Sequence, residues 1–525
     1  MEFTKESLIS LLLEDEHNIR EPENRQCNYL GDYLKALGVS AIVVEGEYVD
    51  GDFLDDVAHY YVRCHRTYPR FCRRLHFFRQ LTMDQFVGLS SGRLGVAQVE
   101  ELKRGYCGFV VARPLPDAVI GRSMLRLPDD VVTQKLEEAG DRVVRAVKDY
   151  AAHLFGVSFP IRSLAFQEQD TVIAACATSA LWSAFHKTSD LWGHETPRPY
   201  AITTSATKYQ HTSRSIPSAG LSIIQLCEAI RSIGLEAQSF EVWDEDSIKN
   251  MDAEPPYYPK IPFLALCYAY LRALIPIVLV VDVERGRESG LHAVTLAGYR
   301  LGPKYTIPDE VLKAYPQMPN LPLTGSKIER FYAHDDQVGP FSELIVATNC
   351  MPEAVRLRSA WDEPGKQPAF FPTLVLIPLY TKIRVPFTEV LRSIGRINKL
   401  FTASAALKPG SWEWDLYLVE NKSYKQEAQE HWHVDLPDRA RILDESLPRF
   451  LWRSQLLIGG VGQLDLLADA TDTARSTIFS RIVVFNPEIG DLVLRLLKSF
   501  ESNESARGAF GGRLQELLSK ALQNY

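Results

Sequence analysis

The chain has 525 residues, 46% of them hydrophobic and 24% charged, with a formal net charge of -8. That length exceeds one ordinary core, so several domains are expected, with the composition of a soluble globular protein. The negative balance gives no overall pull toward nucleic acid or anionic membrane, and no run approaches the ~18 apolar residues of a membrane span.

The first residues, MEFTKESLISLLLEDEHNIR, lack the basic start and small-residue cleavage site of a signal peptide. Proline-rich punctuation then divides the chain into three expected parts. In the first, residues 1–155, SAIVVEGEYV reads as a strand. The segment from Asp52 to Phe78 reads as helix broken at Tyr68-Pro69, and GYCGFVVARPLP as a second strand. VVTQKLEEAGDRVVRAVKDYAAHLF reads as an amphipathic helix closing the part.

The second part, residues 156–350, opens with the strand FPIRSLAF and the helix TSALWSAFHK. GLSIIQLCEAIRSIG is a helix with Ile223, Leu226, Cys227, Ile230 and Ile233 as its apolar stripe and Gly234 at its C-terminal end. The strand LEAQSFEV, the helix FLALCYAYLRAL and the strands PIVLVVDV and HAVTLAGYR follow. After a polar, proline-rich excursion, IERFYAHDD is a further strand. In the third part, residues 351–525, FFPTLVLIPL, WEWDLYLVE and TIFSRIVVFNP read as strands. VPFTEVLRSIGRINKLF, RFLWRSQLL and GGRLQELLSKALQ read as helices. No chemistry is legible in the first or third part.

The chemistry lies in an ordered trio. Cys176 opens a helix, His292 opens a strand, and Asp335 ends a later strand. A thiol at a helix N-terminus feels the positive end of the dipole, which favours the nucleophilic thiolate. An imidazole can move the proton, and an acid accepting from its Nδ1–H would hold the useful tautomer. Asp336 is the alternative to Asp335. His334 faces away from its neighbour in an extended strand and is the poorer base. Upstream, Gln167 and Gln169 can each offer an amide to a developing oxyanion.

These elements resemble the papain-like cysteine peptidases, most closely the bacterial branch that removes bacteriocin leaders. The resemblance rests on QEQD at 167–170 before Cys176, GLSIIQLCEAIRSIG at 220–234, IPIVLVV at 275–281, HAVTLAGY at 292–299 and DDQVGPF at 335–341. It covers about residues 164–345, and it departs from the family at Ala177, where glycine is usual. It implies an α+β, multidomain protein with a central papain-like fold, a helical lobe carrying the cysteine and an antiparallel sheet carrying His292 and the acid. It also implies amide cleavage through a thioester on Cys176. His292 would be the base, Asp335 or Asp336 its orienter, and Gln169 or Gln167 the oxyanion donor. The substrate would be a peptide or protein, with no cofactor or metal. Acyl transfer of the transglutaminase kind uses the same trio, and an inactive interaction protein could keep the fold.

Other patterns carry less. The scattered cysteines, Cys27, Cys64, Cys72, Cys107, Cys176, Cys227, Cys267 and Cys350, fit reduced thiols of a cytoplasmic protein. Arg63, Arg66, Arg70, Arg73, Arg74 and Arg79 could bind phosphate or an acidic partner, but a solvated helix face pairing with Asp52, Asp55 and Asp56 is the preferred reading, so no nucleic-acid partner is expected. Cys64, Cys72 and His76 lack zinc-ligand spacing, and His431 and His433 lack a third ligand.

Overall fold

The β-branched run at 41–44 forms β1 (Ala41–Tyr48), the first strand of an antiparallel meander completed by β2 (Cys72–Phe78), β3 (Tyr106–Ala112) and β4 (Ile120–Leu125). The computed structural model describes residues 1–13, 25–116, 118–128, 142–170, 172–173, 175–208, 220–242, 262–285, 288–302, 321–347, 356–361, 369–404, 407–408, 410–474, 478–501 and 509–523. Where the sequence predicts helix from Asp52 to Phe78, helix covers only Gly51–His59, capped by the Asp50 carboxylate, and residues 72–78 are β2. Both faces of this sheet are covered, which erases the polar alternation that marks a half-buried strand. Leu75 and Phe77 enter one core with the helices Lys5–Leu13 and Arg25–Ala36; Cys72 and Phe78 enter another.

The segment expected as one helix over 131–155 also differs. Residues 131–141 lie outside the described residues, and the rest forms β5 (Arg142–Val144) and β6 (Lys148–Leu154). β6 pairs with β7 (Val157–Ser163) in a hairpin turning at Gly156, whose φ of 78° suits glycine. Ala152 and Leu154 alternate into the core with Phe159 and Ile161 of β7, a period of two that the helical reading overlooked. The boundary expected at 155 therefore cuts a hairpin.

The cysteine helix, Cys176–Trp192, is buried continuously from Ala177 to Thr188 and ends at Gly193 with φ 77°. Its alanines at 177, 180 and 184 keep it slim enough to sit between packed layers. Helices Pro199–Ala206 and Ile223–Ser232 pack beside it; of the expected stripe, Leu226 and Ile230 are buried and Ile223 is exposed.

Next comes β8 (Glu236–Glu241), then the buried helix Phe263–Arg272. The strands β9 (Ile277–Arg285), β10 (Glu288–Leu301), β11 (Ile328–Asp335), β12 (Gly339–Ala347), β13 (Arg356–Ser359) and β14 (Ala369–Leu379) follow. Each pairs antiparallel with the next, and β14 returns to β9, closing a barrel. β8 joins β14 and β5 joins β10 outside the ring. Closure needs β14 to cover the free edge of β9, so the boundary expected at 350 falls inside the barrel.

The remaining chain forms a second meander, β15 (Trp412–Glu420), β16 (Phe450–Ile458), β17 (Val461–Asp469) and β18 (Phe479–Val484). RFLWRSQLL, expected as helix, is β16; Leu451 through Ser454 are all buried, which again hides the alternation. Helix Phe387–Ala403 contributes Val390, Ile394 and Phe401 to the core shared with this sheet. The result is a mixed α+β, multidomain-like protein around a closed barrel. The described cysteines are free thiols, and Cys350 lies outside the described residues. Among the described residues, no helix is long and apolar enough to cross a membrane.

Candidate active site

Cys176 is the first residue of its helix and is half-buried. The approach is fixed by Asp170, whose Oδ1 accepts from the backbone N–H groups of Val172 (3.0 Å) and Ile173 (2.7 Å). The first amides of a helix lack intrahelical acceptors, so the thiol stands at a ready-made anion site. Thr295 of β10 donates to the Ala180 carbonyl at 2.6 Å, tying the cysteine helix to the strand that carries His292.

His292 lies within β10, not at its start, and Asp335 is the last residue of β11. Strand alternation puts His292 on the side of Val294 and Leu296, and Asp335 on the side of Phe331 and Ala333, all four of which are barrel core. Both side chains are almost wholly buried, at 3% and 1% exposure. The imidazole Nε2 donates to Asp335 Oδ1 at 2.9 Å. The nitrogen expected here was Nδ1. Nε2 is the far ring atom and reaches across to the neighbouring strand, while Nδ1, close to its own backbone, is left for other partners. The Gln337 side-chain amide lies 3.4 Å from Nδ1, and Cys176 is a further hydrogen-bonding partner of the imidazole. Asp336 Oδ1 approaches Nε2 only to 3.5 Å. Of the two acids, Asp335 is the hydrogen-bonded one.

The charges divide accordingly. Burial works against the imidazolium, yet the Asp335 charge and hydrogen bond, then Cys176 and Asp336, hold the His292 proton well above the ordinary range. Burial likewise opposes ionisation of Asp335, but the His292 charge and the bonds from His292 and the Gln337 N–H win, lowering it. Asp336 goes the other way: burial dominates, His292 only partly offsets it, Asp335 adds repulsion, and the carboxyl is pushed up to about 7. The two adjacent acids are thus pushed in opposite directions, Asp335 toward ionisation and Asp336 toward keeping its proton.

The glutamines separate too. Gln167 is buried and its amide nitrogen has no hydrogen-bond partner among the described residues, whereas Gln169 is half-buried. The loop around Gln167 is pinned on both sides. Phe166 exchanges backbone bonds with Ser123 of β4 (2.7 and 3.0 Å), and the Glu168 N–H donates to the Ile120 carbonyl at 3.0 Å. Arg113 also donates to the Glu168 carbonyl at 3.0 Å. The first meander is therefore the floor that holds this glutamine.

The turn after Asp335 is clamped as well. Asp335 Oδ1 accepts from the Gln337 N–H at 2.9 Å, and Tyr29 Oη donates to the Pro340 carbonyl at 2.9 Å. A Cβ on Gly339 would stand 2.2 Å from Tyr29 Cδ1, so only glycine admits this ring. Sequence reasoning did not single out Gln337 or Tyr29. Gln337 lies inside the quoted DDQVGPF stretch, but Tyr29 leaves no local signal.

His334 is structural, as its facing implies. Its Nε2 donates to the Leu164 carbonyl at 3.1 Å, its Nδ1 accepts from the Phe341 N–H at 3.1 Å, and burial pushes it down to about 4. His76 is held by Tyr106 Oη (2.8 Å) and Glu45 (3.0 Å). His292, Asp335 and Asp336 also offer ligand atoms within 4.8 Å of one another, close enough to consider a metal. At 2.9 Å the His292–Asp335 contact is a hydrogen bond, and a cation there would have to displace its proton.

No known family pattern, curated protein or solved structure matches the chain. What can be said of its chemistry rests on the geometry above. A thiol at a helix start adjoins an imidazole that is oriented by a buried carboxylate, and an unpartnered buried amide lies on the loop just upstream.

Proposed function

We propose that the chain is a cysteine-dependent amide hydrolase with a papain-like active site. The observation that carries this reading is the linkage of Cys176 to His292 and of His292 to Asp335 at 2.9 Å. Attack of the Cys176 sulfur on the amide carbonyl leaves the thiol proton on His292, whose raised value favours holding it before the attack. The tetrahedral oxyanion takes a hydrogen bond from the Gln167 amide, which has no partner to give up among the described residues. Collapse breaks the C–N bond, His292 protonates the leaving amine, and a thioester remains on Cys176. Water then gives a proton to His292 and its oxygen to the acyl carbon, releasing the acid and restoring the thiol. Asp335 stabilises the imidazolium at each stage and is not itself protonated.

Limiting iodoacetamide at mildly acidic pH tests the first step. Cys176 takes label about tenfold faster than the half-buried Cys64 and Cys227, and His292→Ala removes the preference. Equal labelling of the three thiols sinks the proposal. Wild type and Cys176→Ala, each incubated with a mixed peptide pool with and without an added primary amine, separate the two outcomes of the thioester. New peptide termini mark hydrolysis, and a mass gain from the amine marks acyl transfer.

A further inference from the structure

The arginine-rich segment of the first part is not the helix face the sequence predicts. After the short turn Tyr61–Arg63 it runs as an exposed loop to β2. The acids expected to neutralise it are engaged elsewhere: Asp52 feels the charges of Arg122 and Arg198, Asp55 pairs with Arg198 (3.4 Å) and His59 (3.6 Å), and Asp56 is buried. Arg63, Arg66 and Arg70 are exposed and have no carboxylate partner among the described residues; Arg66 and Arg70 rest over the rings of Tyr68 (5.4 Å) and Phe71 (5.3 Å). Val62 and Phe71 are exposed beside them, at 68% and 41%. Three unneutralised cations with apolar neighbours stand out on a chain whose net charge is -8.

This loop is joined to the thiol's approach. Tyr61 Oη donates to Asp170 Oδ2 at 3.3 Å, and the Tyr68 ring lies 4.8 Å from the Tyr61 ring. Asp170 in turn holds the Val172 and Ile173 amides just before Cys176. The arginine loop is thus packed on the residues that hold the thiol's approach.

We propose that Arg63, Arg66 and Arg70 dock an acidic stretch of the polypeptide whose amide reaches Cys176. This rests on the reading of Cys176 as a nucleophile and adds the substrate class. Planar guanidiniums pair well with carboxylates, and the flanking Val62 and Phe71 suit interspersed apolar side chains. Nucleic acid fits less well, since its binding needs a basic track beyond one loop and the chain as a whole repels it.

The test uses the full-length protein and a fluorescein-labelled peptide of alternating glutamate and leucine. Fluorescence anisotropy at low ionic strength shows binding that weakens with salt, falls about tenfold in Arg63→Ala/Arg66→Ala/Arg70→Ala, and persists in Cys176→Ser. The same peptide tipped with a chloroacetamide modifies Cys176 about tenfold faster than a glutamine-for-glutamate control, and the triple variant erases that advantage. Iodoacetamide labelling of Cys176 stays unchanged in the triple variant, so loss of docking is distinguishable from loss of the nucleophile. No peptide binding, tighter binding of a single-stranded oligonucleotide, or docking without faster modification of Cys176 each overturns the proposal.

Discussion

Replacing Asp336 by asparagine tests which acid serves His292. Asp336 is 4% exposed, and the backbone N–H groups of Asp336 and Gln337 offset little of the cost of burying its carboxyl. Burial first, then repulsion from Asp335 against attraction from His292, pushes its carboxyl from 3.8 to about 7. Below about pH 4 the group is protonated folded or unfolded, and it costs nothing. Between about pH 4 and 7 the folded chain keeps a proton that the unfolded chain releases, so stability falls as pH rises. Above about pH 7 the full penalty is present: a gap of roughly three pH units, at about 1.4 kcal/mol each, is about 4 kcal/mol. Asp336→Asn keeps the shape and removes the charge. Urea unfolding is therefore expected to find the variant about 4 kcal/mol more stable than wild type at about pH 8 and nearly equal at about pH 4. His292 does not imitate this. Its folded value is raised, so its contribution is full below about pH 6.5 and is lost only as pH climbs through that higher value. Destabilisation of the variant at high pH would mean that His292 uses the Asp336 charge, and the assignment of Asp335 as orienter would fail.

Four further outcomes follow from the same geometry. Asp335→Ala removes the acceptor of a buried charged pair, so unfolding at neutral pH should show a loss of about 3–5 kcal/mol together with loss of selective Cys176 labelling; a neutral effect refutes the pairing. In wild type, the part of stability owed to Asp335 is present above about pH 4 and disappears as acid carries the pH through its lowered folded value. Gln167→Ala should slow peptide turnover by about 10²–10³ while Gln169→Ala changes it little, and the reverse order would move the oxyanion site. Gly339→Ala drives a methyl into the Tyr29 ring and should cost about 1–3 kcal/mol by thermal or urea unfolding. Tyr29→Leu in the same chain should recover part of it, and additive losses would show that the two residues do not meet.

The elements that carry the trio are legible because their signals are local. Cys176 precedes an uninterrupted helical run, and His292 and Asp335 sit on strands with β-branched or aromatic neighbours. β2 and β16 were misread for one reason: sheets covered on both faces lose the alternation that identifies a strand. β6 was misread because seven residues of alternating pattern also satisfy a helical stripe. The choice between acids turned on which carboxylate the imidazole's far nitrogen reaches. The choice between glutamines turned on burial. Both are tertiary facts, as is the clamp from Tyr29 to Pro340, which bridges opposite ends of the first two parts.

Barrel closure also bears on biosynthesis. β9 is translated long before β14, the strand that covers its open edge, and the excursion after β10 comes between. A growing chain emerging from the ribosome presents Cys176 first, then His292, then Asp335, yet the ring that fixes the last two side by side stays open until residue 379 is made. Pairings so far apart in sequence form slowly. The nascent protein thus passes through its most vulnerable period, surrounded by other unfolded chains, with the thiol's partners not yet locked in a complete ring. That order of events leaves Cys176 without an oriented imidazole until the ring is complete.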